Sequence, residues 1–165
     1  MRERVKCTPG VLPEISRGGS LERIIMNYTR IALAAAGGFV AYFLLGGLMF
    51  ALLPLKAEFL KYPAVYRNQQ GQMSHMPVGM AWMFVSMLAM ATIYATLCRG
   101  GSGLVEGLRF GALIGIFAVG AFVVHNYVNL NIGLRLTVQS AIAYFVEWTV
   151  SGLVIGMIYR PAPPH

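Results

Sequence analysis

Aspartate is missing from this chain altogether, and its six acidic residues are all glutamates against 13 lysines and arginines. Cysteine is almost as scarce: there are two, Cys7 and Cys98, and charged residues make up only 12% of the sequence. No glycine-rich nucleotide loop, HExxH, CxxC or serine elbow occurs. Chemistry would have to rest on Glu147, His125 and tyrosines, so the chain is expected not to be an enzyme. Cys7 and Cys98 fall on the side assigned below to the cytoplasm, where a structural disulfide is not expected.

In place of charge there is apolar length. At 57% hydrophobic residues and a mean hydropathy of +0.64, the 165-residue chain lies outside the soluble globular range. Four stretches, 31–55, 78–98, 110–130 and 136–159, meet the requirement of about 20 residues per crossing of a roughly 30 Å hydrocarbon core. The first is too long, and sits too far behind polar residues, to read as a signal peptide. Residues 1–19 carry Pro9, Gly10, Pro13, Gly18 and Gly19 and read as polar coil; 20–160 form the membrane domain and 161–165 a tail. Ser20 is placed to cap a helix running through LERIIMNYTRIAL into the first span.

The connections are short. In the segment between the first two spans, Phe59, Tyr62 and Tyr66 suit a short helix at headgroup level. The second and third spans meet through CRGGSGLVEG, and the last two through VNLNIGLR. Short loops join antiparallel neighbours, so the expected fold is all-α, an up-down bundle of four transmembrane helices.

The net charge of +7 is distributed as a topology signal rather than as a nucleic-acid surface. Arg2, Arg4, Lys6, Arg17, Arg23, Arg30, Arg99, Arg109 and Arg160 fall on one side, and Lys56, Lys61, Arg67 and Arg135 on the other. The positive-inside rule then puts both termini in the cytoplasm, and the expected contacts are the lipid bilayer and other membrane subunits, with no nucleic acid.

Glu147 is the only formally charged side chain inside a span. Such a charge costs roughly 2.5 kcal/mol or more on insertion scales. Ser140, Tyr144, Glu147 and Ser151 fall within about 60° of one another on the helical wheel, a polar stripe on one face. By depth, Tyr42 and Ser86 are its nearest candidates on other helices. One reading is a carboxylate that handles a proton, an ion or a small solute; the other is a protonated hydrogen-bonding contact between helices.

Gly107, Gly111 and Gly115 recur every four residues, the pattern that lets backbones approach closely in lipid, and Gly152 and Gly156 repeat it on the last span. On an ideal helix Ala118, Phe122, His125 and Asn129 prolong the first of these faces. The resulting groove has the shape to seat a porphyrin or chlorin ring with His125 as axial ligand; the alternative is an interfacial histidine bonding a polar neighbour such as Gln139. Met76, Met80, Met83, Met87 and Met90 form a stripe on the second span. With Met73 and His75 the stripe reads either as a Cu(I) path or, more simply, as a pliable packing surface.

The runs GLVEGLRFGALIG and VEWTVSGLVIGMIYRP carry Gly107, Arg109, Phe110, Gly111, Gly115, Gly152, Gly156, Tyr159 and Arg160. With Asn126 and Tyr127, they make residues 28–162 resemble small four-span bacterial membrane proteins of uncharacterised function. The resemblance implies a bacterial inner membrane and carries no activity with it. The overall expectation is a non-catalytic accessory or structural subunit of a larger membrane complex. Transport through Glu147 or the methionine stripe, and pigment or haem binding through His125, are the alternatives.

Overall fold

The computed structural model describes residues 27–97 and 102–159, and among them it is helical with no strand. The coil over 1–19, Ser20, Cys7, Cys98, Arg160 and the tail lie outside the described residues. Helix α1 spans Tyr28–Leu52, α2 Leu55–Phe59, α3 Gln69–Leu97, α4 Gly103–Ala118, α5 His125–Asn129 and α6 Leu134–Ile158; a π-helical stretch, Val119–Val124, joins α4 to α5. Four of the resulting rods, with α4 to α5 counted as one, are long and apolar enough to cross a membrane. At 25 residues each, α1 and α6 extend about 37 Å, longer than a hydrocarbon core of about 30 Å.

Three boundaries differ from those expected. Helix α1 does not run in continuously from Ser20, because Asn27 has extended backbone angles and its side chain accepts the Arg30 N–H at 3.0 Å, a helix-starting cap. Helix α3 begins nine residues before the apolar stretch: Asn68 accepts the Gly71 N–H at 2.8 Å, and the polar run that follows winds into the same helix, Pro77 included. Helix α4 begins at Gly103, inside the segment read as a turn. Apolar runs locate bilayer crossings, whereas local caps decide where a helix starts.

Helix α6 is the hub. It packs along α4 on one side and along α1 on the other, and α3 lies against α1 with a lighter touch on α6. Helices α3 and α4, although consecutive in the chain, lie side by side less closely than α4 and α6; the rings of Tyr94 and Phe110 meet with centroids 5.4 Å apart. Two apolar clusters result. One gathers Ile31, Ala34, Ala35, Met87, Met90, Tyr94 and Ile155; the other, at the end bearing the α1–α3 connector, is built on Leu55, Leu136 and Ala143. Glu147 lies on α6 between them.

Candidate functional site

Between the two clusters the α1–α6 interface turns polar. Running antiparallel, the α1 positions Gly38, Tyr42 and Gly46, one turn apart, face the α6 positions Ser151 and Glu147. Glu147 is only 6% exposed, and the Tyr42 hydroxyl is its electrostatic neighbour on α1. Gly46 makes the slot: a methyl there would stand 3.4 Å from Glu147 Oε1, and anything longer would enter the space the carboxylate occupies. One turn further, Ser151 Oγ donates to the Gly38 carbonyl at 3.3 Å. The Trp148 ring closes on Tyr42 edge-on, with centroids 5.5 Å apart.

Of the two neighbours proposed for Glu147, only Tyr42 is there. Ser86 is exposed and donates to the Trp82 carbonyl of its own helix at 3.0 Å, a back-bond common for serine in apolar helices. The polar stripe itself is turned toward α1: Glu147 and Ser151 are buried, Ser140 and Tyr144 half-buried. Tyr144 has electrostatic neighbours on both sides, Glu147 and, from the connector, Tyr66. The Tyr66 phenol is held above its ordinary range by burial and then by the adjacent Tyr62, so it remains a proton donor.

The opposite face of α6 carries the glycine seam. A methyl on Gly107 would stand 2.7 Å from the Gly152 carbonyl oxygen and 2.9 Å from the Gly156 Cα; on Gly111 it would stand 3.0 Å from the Gly152 Cα. Gly115 meets Phe145 and Thr149 in the same register, and Gly103 meets Gly156 at the other end. Gly103 and Thr149 were not singled out from the sequence. Gly103 continues the four-residue period backwards, within a segment whose composition reads as a turn.

His125 does not prolong this face. The π stretch adds one residue to a turn, so the seam passes from Ala118, 1% exposed, to Val123, 5% exposed, and leaves Phe122 at 50%. Both His125 and Asn129 are exposed, and Asn129 Nδ2 donates to the His125 carbonyl at 2.7 Å. The ideal-wheel groove ending on His125 is therefore replaced by a face that turns away one turn earlier. Gln139 Oε1, the suggested partner, is buried and without a hydrogen bond among the described residues.

The methionine stripe divides in two. Met87 and Met90 are buried in the larger cluster, whereas Met73, Met76 and Met80 are exposed. His75 turns to its own helix, with Nδ1 2.9 Å from the Gly71 carbonyl oxygen and 3.0 Å from Ser74 Oγ. Among the described residues no three His, Cys, Asp or Glu side chains gather as a metal site.

Sequence reasoning missed Glu58. It lies on α2, 4% exposed, with Oε1 2.7 Å from Lys61 Nζ and 3.5 Å from Arg135 Nε at the start of α6. Tyr62 adds a second tie, its hydroxyl accepting the Gly133 N–H at 2.9 Å. The i,i+3 spacing of Glu58 and Lys61 was the available signal; the pairing with Arg135, 77 positions away, had none.

Among the described residues these features define a class: an all-helical protein with four helices of membrane-crossing length, a glycine-packed helix pair and, midway along α6, a buried carboxyl beside a tyrosine. The chain matches no protein-family model, no curated protein and no solved structure.

Proposed function

We propose that the chain is a multi-pass integral membrane protein of a bacterial inner membrane, with both termini cytoplasmic, that serves as a non-catalytic accessory or structural subunit of a larger membrane complex. The observation behind this reading is the first half of α3. Every buried residue of that helix lies at or beyond Met87, and from Gln69 to Ser86 none is buried. Met73, Met76 and Met80 stand on the stretch 72–82, where every residue is exposed, before Met83 and Phe84 reach the larger cluster and α1. Methionine adapts its shape to an irregular partner at little cost, so this half suits a helix from another chain.

The test is purification from native membranes in a mild detergent, with photo-crosslinkers at Met76 and Met80. The expected result is one membrane chain in stoichiometric yield, joined through these positions and not through Leu113 on the exposed side of α4. A lone monomer or a homo-oligomer would refute it.

A second reading, transport of a proton or small solute through Glu147, is favoured by one observation. Tyr144 has electrostatic neighbours in Tyr66 of the connector and in Glu147, so hydroxyls lie on the connector side of the carboxyl at the middle of α6. Flux into vesicles separates the readings: equal flux for Glu147→Gln and the unaltered protein removes the carboxyl from any such path.

A further inference from the structure

At the connector end, between the last turn of α1, α2 and the first turn of α3, lies a cavity of about 660 Å³. One wall is aromatic. Phe50 and Phe59 stack nearly parallel with centroids 5.8 Å apart, and Tyr66 meets Phe59 edge-on at 4.6 Å. The rim is polar and cationic: Lys56 and Arg67 stand there with the amide of Gln72, whose Nε2 donates to the Arg67 carbonyl at 3.0 Å. Both cations are exposed. Among the described residues neither is paired with a carboxylate, because the nearby acid, Glu58, is already taken by Lys61 and Arg135.

A second cavity, of about 430 Å³, shares Phe50, Lys56 and Leu60 with the first and continues along Leu52 and Leu53. Its side chains past Lys56 are apolar, and two of them at the end of α1, Phe50 and Leu52, are exposed. A cationic pocket thus runs directly into an apolar groove, at the ends of helices long enough to reach a membrane surface. Lysine and arginine at that depth attract anionic headgroups, and a guanidinium matches a phosphate with paired N–H donors. A free phosphate would use the cations and leave the groove empty, whereas a phospholipid uses both.

We infer that this pocket binds an anionic phospholipid, with Lys56 and Arg67 on the headgroup phosphate and an acyl chain along the groove beside Phe50 and Leu52. The inference needs the chain to lie in a bilayer and is independent of whether it joins a larger complex. The lipid acts as a seat for the connector, joining α1, α2 and α3 at a point where the chain itself supplies few direct contacts between α2 and α3.

The experiment is calorimetric titration of the full chain, in a neutral maltoside detergent, with three probes: dihexanoyl phosphatidylglycerol, dihexanoyl phosphatidylcholine and inorganic phosphate. The anionic lipid is expected to bind roughly tenfold or more tightly than either of the others, the scale set by two interfacial cations. Joint substitution of Lys56→Gln and Arg67→Gln should erase that preference, while Lys61→Gln, which alters a cation engaged by Glu58, should keep it. Equal binding of the two lipids by the unaltered protein would overturn the inference without recourse to any variant. So would inorganic phosphate binding as tightly as the anionic lipid, which would mark a free-phosphate site. Retained preference in the double variant, or its equal loss in Lys61→Gln, would also overturn it.

Discussion

The Tyr42 hydroxyl and the Glu147 carboxyl are electrostatic neighbours across the α1–α6 interface, with Tyr42 packed against the larger apolar cluster and Glu147 lying on α6 between the two clusters. Removing the hydroxyl with Tyr42→Phe leaves a buried carboxyl without that neighbour and is expected to cost about 1–3 kcal/mol. Glu147→Gln keeps an acceptor for the tyrosine and should cost less than about 1 kcal/mol, in line with interhelical hydrogen bonds in bilayers. A double-mutant cycle on unfolding in detergent measures the coupling; a coupling of zero would show that the two groups are independent.

The glycine seam makes a sharper demand. Gly107→Ala puts a methyl 2.7 Å from a backbone oxygen that has no side-chain freedom to yield, so α4 and α6 must part. The expected loss is about 1–3 kcal/mol, read as a lowered thermal midpoint. Gly47→Ala is the control, since nothing lies within 4 Å of the added atom. It should be neutral or raise stability by up to about 1 kcal/mol through helix propensity. Equal effects at the two positions would mean that the seam does not hold the pair together.

Glu58→Gln tests how the connector is held. Its partners Lys61 and Arg135 are 55% and 71% exposed, so screening limits the expected loss to about 1 kcal/mol despite the burial of the acid. The consequence should be local: faster amide exchange over residues 55–68, with the α4–α6 pair unchanged. Raising salt from low to molar concentration should narrow the difference between variant and unaltered protein, since the partners face solvent.

Tyr62→Phe removes the other tie, the acceptor for the Gly133 N–H. A loss of about 1 kcal/mol is expected, together with faster exchange of the Gly133 amide itself. An unchanged exchange rate at that amide would show that the bond is not formed in solution.

Much of this arrangement was legible in the residues, and the places where legibility failed have definite causes. Tyr42 could be matched to Glu147 because both lie inside spans whose depth follows from counting residues at a fixed rise. Ser86 satisfied the same count and is not there, because depth leaves rotation about the helix axis free. The seam could be read from glycine spacing through Gly115, but its continuation to His125 could not. The wide turn at Val119–Val124 breaks the period on which the projection rests, and no residue in VGAFVV announces it. The starts at Asn27, Asn68 and Gly103 escaped for a related reason, since hydropathy follows transfer into lipid and the caps are local polar events.

Hydrophobic length by itself determined that there are four long apolar helices, because a backbone in hydrocarbon must satisfy its own hydrogen bonds and does so most simply in uninterrupted helices of about 20 residues or more. Glycine spacing likewise determined which face of α4 can approach another backbone. Only the tertiary structure decided that α6 is the hub, with its glycine face against α4 and its carboxyl face against α1, and that Glu58 reaches Arg135. Rotation and neighbour choice depend on contacts between residues far apart in the chain, and no local pattern carries that information.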